Sequence, residues 1–323
     1  MPNPPKPPKN AATWGGAVAL GLWCWSGVCY RAGAEAVGAL PFLSLACAVG
    51  VATSALIHCL RGKPLSQIAR PPRRVMVAGF FGVTLYTLAL SIAVARADAR
   101  DVAQVMLVNY LWPIFMVLLG MRLLRQRVRM GRMLAAVAIG FSGIAVARGF
   151  DSLWRLPASL APHALAAAGA FLWALYCVLL RRWNVPEDQG GSTFHFAVCG
   201  ALAGAVAAGQ GDWAAAMAGF NASALAWMAF MGVGPIGVAY YLWEIGVKRG
   251  APHLLAILAF FTPVGSAVLI GVFFRETLNP GLLPGAALIA VAAGLGRKAS
   301  GPTDSSDRQN WGSRALRQPS NQD

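Results

Sequence analysis

No Asp, Glu, Lys or Arg falls near the middle of any long apolar stretch of this sequence. Ionisable groups at such depth mark proton relays, sodium coupling or sites for oppositely charged substrates, so their absence argues against each. Acidic residues are scarce altogether: 12 Asp and Glu stand against 27 Lys and Arg in 323 residues, and 12% of the chain is charged. Soluble domains carry about 25% charged residues, which excludes an ordinary soluble fold. Alternating strand patterns are missing too, which argues against a β-barrel. The six cysteines, Cys24, Cys29, Cys47, Cys59, Cys177 and Cys199, show no CxxC or Cys/His ligand spacing. They read as small core residues, and neither a metal nor a disulfide is expected. A membrane-embedded transferase would need a cluster of Asp, Glu and His near an interface, and none is visible; the chain reads as no enzyme and as needing no cofactor.

What is abundant is apolar length: 57% of the residues are hydrophobic and the mean hydropathy is +0.56, the balance of a membrane protein. Stretches without charge run at about 12–30, 36–60, 75–95, 102–121, 133–147, 164–180, 193–209, 222–243, 252–274 and 280–296. About 20 residues at 1.5 Å rise match a hydrocarbon slab of ~30 Å, so each reads as one transmembrane helix. The expected fold is an all-α membrane protein of ten transmembrane helices. The proline-rich start "MPNPPKPPKN" has no apolar core or cleavage site and reads as a disordered leader over 1–11; the polar tail 297–323 reads the same way.

The placement of charge gives the orientation. With the N-terminus in the cytoplasm, the termini and the inner loops near 61–74, 121–132, 181–190 and 244–250 hold 21 of the 27 basic residues. The outer side holds Arg31, Arg96, Arg100, Arg148, Arg155 and Arg275, balanced by Glu35, Asp98, Asp101, Asp151, Asp212 and Glu276. That asymmetry follows the positive-inside rule with both termini cytoplasmic. "RGKPLSQIARPPRR" and "MRLLRQRVRMGR" are then topogenic loops, and no nucleic-acid partner is expected.

A repeat runs through the chain. "NYLWPIFMVLLG" (109–120) aligns with "AFFTPVGSAVLIG" (259–271), with Pro113 and Pro263 150 residues apart, and Gly82 aligns with Gly232 at the same offset. Five spans are an odd number, so the second copy enters the membrane from the opposite side. The reading is therefore a first five-helix repeat over 12–148, an external linker over 149–163 and an inverted second repeat over 164–296, the arrangement of many transporters. Within a span, Pro113 would free the carbonyl of Asn109 and kink the helix. "MGVGPIG" (231–237) adds Gly232, Gly234 and Pro235, so Pro113, Pro263, Pro235, Gly232 and Gly234 are expected hinges. A lone proline in a membrane helix is also common, and Asn109 could simply bond a neighbouring helix.

Aromatic residues supply a candidate pocket. Asn109 and Trp112 lie three apart on one helix face, as do Trp173 and Tyr176, and Tyr86 and Tyr240 lie on the two repeat-related spans; with Trp25 these are the expected substrate-binding residues. Trp14, Trp154, Trp183, Trp213 and Trp243 are expected in interfacial belts. His58, His163, His195 and His253 fall near span ends, where interfacial packing is the default, and Glu244 and Glu276 are placed to snorkel to water.

Ten spans, inverted halves, basic inner loops, "NYLWP" and "AYYLWEIGVKRG…LAFFTPV" together resemble the drug/metabolite transporter superfamily, EamA type, over residues 12–298. The resemblance implies a bacterial inner-membrane exporter with a central cavity, working by alternating access on aromatic amino acids, with other neutral ones as a wider set. The stretch "VNYLWPIFMVLLG" carries the aromatic-amino-acid part of that expectation. Family members often carry Gly-Glu after the ninth-span proline; here the run is "IGVFFRET", and Glu276 is displaced. A zwitterion needs no buried counter-ion, so obligatory proton coupling is not expected. The partners are then the lipid bilayer and a small neutral amino acid, with the chain a monomer. A multidrug or organic-cation exporter is the alternative, since aromatic pockets also hold cations.

Overall fold

The computed structural model describes residues 9–66, 70–96, 105, 108–124, 129–148, 159–186, 191–275 and 280–299. The leader to residue 8, the linker from 149 to 158, the tail from 300 and Glu276 lie outside the described residues. Every regular element described is helical. Among the described residues, seven helices are long and apolar enough to cross a membrane: Ala39–Leu60, Arg73–Leu90, Met130–Ala147, Ala161–Arg182, Ser192–Gln210, Ala222–Arg249 and Pro252–Phe274. Trp112–Leu124 and Leu282–Gly296 are shorter apolar helices.

The chain opens with α1 (Lys9–Cys24) and α2 (Ser26–Val37), separated only at Trp25. The first span therefore runs on past residue 30, its expected end. It stops at Gly38, whose φ of 82° and ψ of 155° suit glycine alone, and α3 (Ala39–Leu60) starts at once. After a loop come α4 (Arg73–Gly79), a π-helical stretch Phe80–Leu85 and α5 (Tyr86–Arg96) in one rod. Then follow α6 (Trp112–Leu124), α7 (Met130–Arg148), α8 (Ala161–Arg182), α9 (Ser192–Gln210) and the short α10 (Asp212–Gly219). The next rod repeats the pattern of the earlier one: α11 (Ala222–Met231), a π-helical stretch Gly232–Val238 containing Pro235, and α12 (Ala239–Arg249). The chain closes with α13 (Pro252–Leu258), α14 (Phe261–Phe274) and α15 (Leu282–Ala299).

The packing has a two-fold pattern. α1 lies against α12 and α14, while α8, its counterpart 150 residues on, lies against α5 and α6, the counterparts of the same two. α3 packs on α9 and α7 on α15, so each of these pairs joins a helix to its own repeat. Small residues make the α7–α15 crossing close, as expected where lipid gives little hydrophobic drive. A Cβ on Gly285 would stand 2.5 Å from the Gly143 carbonyl oxygen and 2.7 Å from the Ala147 Cβ. Gly285→Val should therefore destabilise the protein by about 1–3 kcal/mol, read as a lower unfolding temperature of the detergent-purified protein. An unchanged temperature would mean that this crossing yields freely.

The cysteines are all free, as small packing residues would be, although Cys59 is exposed.

Candidate functional site

The two π stretches and the restart of α6 each deliver an aromatic ring to one place. Tyr86 directly follows the first π stretch, Tyr240 and Trp243 follow the second, and Trp112 is the first residue of α6. They meet around Trp173 of α8. Its ring centroid lies 5.7 Å from that of Tyr86, stacked at 20°, and 5.5 Å from Tyr240, edge-on. Tyr176 is 5.9 Å away, Trp23 6.1 Å, and Trp112 and Trp243 each 6.4 Å. Phe196 meets the Tyr240 ring at 4.5 Å. Edge-on and offset contacts of this kind add about 0.5–1.5 kcal/mol per pair beyond area burial.

Of the residues singled out by sequence, Trp112, Trp173, Tyr176, Tyr86 and Tyr240 come together here, and the side chain of Asn109 neighbours that of Tyr86. Trp25 does not join them; it sits at the α1–α2 break with its ring against Phe230 at 5.6 Å. Trp243, expected in an interfacial belt, is fully buried. Trp23 went unnoticed in the sequence although the signal was there: it precedes Trp173 by 150 residues, the offset of the two prolines. The two-fold pattern thus sets a tryptophan against its own counterpart. Trp23 also donates its indole N–H to the Pro235 carbonyl at 2.9 Å, tying α1 to the second π stretch.

The expected hinges sit at or beside irregular backbone. Gly232, Gly234 and Pro235 lie inside the second π stretch. A Cβ on Gly82 would stand 2.3 Å from the Tyr176 Cβ, and one on Gly232 2.5 Å from the Val49 Cβ, so these glycines let the rods close on α8 and α3. The reading of Pro113 needs correction. The helix turns out of register at Tyr110 and Leu111 and restarts at Trp112, so Pro113 occupies a first turn, where its missing N–H has no intrahelical partner to lose. Pro263 likewise lies in the first turn of α14, after a break at Ala259 and Phe260.

A second correction concerns charge. Glu244, expected to reach water, is buried, and so is Lys248 of an expected basic loop. Lys248 Nζ donates to Glu244 Oε2 at 3.2 Å and to the Pro186 carbonyl at 3.2 Å. Glu244 Oε1 accepts from the Tyr176 hydroxyl at 2.9 Å and from the Ser192 N–H at 3.1 Å. Arg181 adds hydrogen bonds to the carbonyls of Val247, Lys248 and Gly250, closing the C-terminal end of α12. These contacts fasten α12 to α8, to the start of α9 and to the loop between them. Tyr176 belongs to both systems: its ring meets Trp173 and its hydroxyl meets Glu244. His195, expected at an interface, is fully buried against α4, and a Cβ on Gly79 would stand 2.2 Å from its ring.

Two rods interrupted by π turns, two helices restarted before a proline and a two-fold packing pattern describe a duplicated helical unit. A family model for EamA-like transporters matches twice, over residues 12–148 and 161–295. The chain belongs to the EamA-like transporter family. As a family member it is a membrane exporter of the drug/metabolite superfamily and not an enzyme. The aromatic amino acid exporter YddG of Ancylobacter novellus is 31% identical to it over 306 residues, covering 90% of this chain and 99% of that protein. YddG of Salmonella typhimurium is 25% identical, covering 88% and 96%. Protein PecM of Dickeya dadantii is 27% identical over 218 residues, covering 67% and 70%. A solved crystal structure with 27% identity matches at a TM-score of 0.76, covering 90% of this chain and 98% of that one. These likenesses make the EamA-type chain a multi-pass protein of a bacterial inner membrane.

Proposed function

We propose that this transporter exports aromatic amino acids from the cytoplasm by alternating access, its ten spans forming two inverted five-helix halves with both termini inside. The observation that carries this reading is the ring cluster around Trp173, built by both repeats at the points where their helices are interrupted. Aromatic side chains suit such a surface, and interrupted membrane helices are where transporters bind and hinge. YddG exporters match 90% and 88% of the chain, which supports the substrate class. The organic-cation alternative is disfavoured by Glu244: its carboxylate is engaged by Lys248, Tyr176 and Ser192, so among the described residues no buried carboxylate is left to attract a cation.

Purified protein in liposomes is expected to move labelled Trp, Phe or Tyr saturably down their gradients, with or without a proton gradient. Strict dependence on a proton gradient would contradict the uncoupled reading, with Glu244 and His195 the first groups to replace. Transport of organic cations and of no neutral amino acid would favour the alternative. Orientation has its own check: a reporter joined after residue 150 should face outward and one after residue 186 inward.

A further inference from the structure

The two helix restarts form a pair in space as well as in sequence. Tyr110 and Phe260, 150 residues apart, stand at the two breaks. Both are buried in one side-chain cluster with Ile144 of α7 and Ile289 of α15. Within two residues of this pair lie two polar atoms with no hydrogen-bond partner among the described residues: the Asn109 side-chain oxygen Oδ1, whose amide group meets Tyr86, and the Thr262 hydroxyl Oγ1. Asn109 is 4% exposed and Thr262 7%, so neither is left to water. A buried, unpaired polar atom is costly and calls for a reason. Two of them, one at each of two related breaks, call for a common one.

Their chemistry divides the work. Oδ1 of an asparagine has lone pairs and no proton, so it is suited to a donor such as an ammonium. A threonine hydroxyl can donate, and Thr262 stands in the first turn of α14, the positive end of a 14-residue helix. That end favours an anion. Tyr86 and Trp112 link the Asn109 side to the ring cluster.

We propose that the paired breaks hold the charged ends of a zwitterionic substrate, Asn109 Oδ1 accepting from its α-ammonium and the Thr262 hydroxyl donating to its α-carboxylate. This rests on the amino-acid reading above and adds Thr262 as a specificity-determining residue. Substrate class is then set by the two breaks, and the side-chain preference by the rings. An aromatic compound lacking either charged end leaves one buried atom unpaired and is discriminated against.

The test is L-phenylalanine transport in liposomes, inhibited by 2-phenylethylamine, which lacks the carboxylate, or by 3-phenylpropionate, which lacks the ammonium. Thr262→Val should raise KM for L-phenylalanine about tenfold or more, the loss of a hydrogen bond to a charged group, and leave inhibition by 2-phenylethylamine unchanged. Asn109→Leu should raise KM similarly and leave inhibition by 3-phenylpropionate unchanged, while Thr262→Ser behaves as the parent. Thr262→Ala takes the place of the valine variant should that one fail to fold. Unaltered KM in folded Thr262→Val or Thr262→Ala, or equal weakening of phenylalanine and 2-phenylethylamine, overturns the proposal alone. A parent protein that moves no aromatic amino acid overturns the transport reading and this proposal with it.

Discussion

Lys248→Met is expected to cost the protein about 3–5 kcal/mol of stability, because it strands a buried carboxylate. The Lys248 and Glu244 side chains are only 2% and 5% exposed, so water cannot take over from the lost ammonium. The Tyr176 hydroxyl and the Ser192 N–H remain on Oε1, but they carry no full charge. Glu244→Gln should cost a similar amount: the glutamine oxygen still accepts both bonds, but the buried Lys248 ammonium loses its counter-charge and faces an amide NH2. The double variant should recover most of the loss, as buried pairs replaced together by neutral groups often do. Unfolding temperatures of the four purified proteins check this. A double variant as unstable as Lys248→Met would show that the charges do more than neutralise each other, and a stable Lys248→Met would show that Glu244 reaches water after all.

The second large effect concerns Trp173. Replacing it with alanine empties the centre of a ring cluster fed by five different helices, and should destabilise by about 3–5 kcal/mol. Transport of aromatic amino acids by the surviving folded protein should fall by more than the drop in folded protein explains. Trp173→Phe keeps an aromatic face and should retain part of both. Trp23→Ala should perturb stability less, because Trp23 is half-buried, although it also frees the Pro235 carbonyl. Normal transport by folded Trp173→Ala would remove the ring cluster from consideration as the site.

Much of this was readable from residue spacing. Pro113 and Pro263 announced the duplication, and the same offset, applied once more, would have placed Trp23 opposite Trp173. Helix type followed from composition, and among the described residues seven helices are long and apolar enough to cross a membrane. What spacing could not give was depth. Trp243, Glu244 and Lys248 lie where the apolar stretch meets a basic loop, which reads as an interface. The eighth span in fact continues to Arg249, and the ends of α8 and α9 close around it. Burial there is decided by neighbours distant in sequence, and nothing local to Glu244 announces Ser192 or Tyr176. The breaks were displaced for a related reason: a proline tolerated in a first turn and one kinking a continuous helix have the same sequence signature.

In sequence, the Glu244–Lys248 fastening of α12 is not repeated in the first half, although Arg31 stands for Arg181. At the 150-residue offset Val94 stands for Glu244, Asp98 for Lys248, Ser26 for Tyr176 and Phe42 for Ser192. In a carrier built of two interchangeable halves, equal halves would make the inward-facing and outward-facing forms mirror images of equal free energy. Polar closure at one end only makes the see-saw lopsided, and each 1.4 kcal/mol of imbalance changes the ratio of the two forms about tenfold. Under the alternating-access mechanism proposed above, the resting direction is set by a few side chains on one half, and could drift in evolution without any change to the ring cluster.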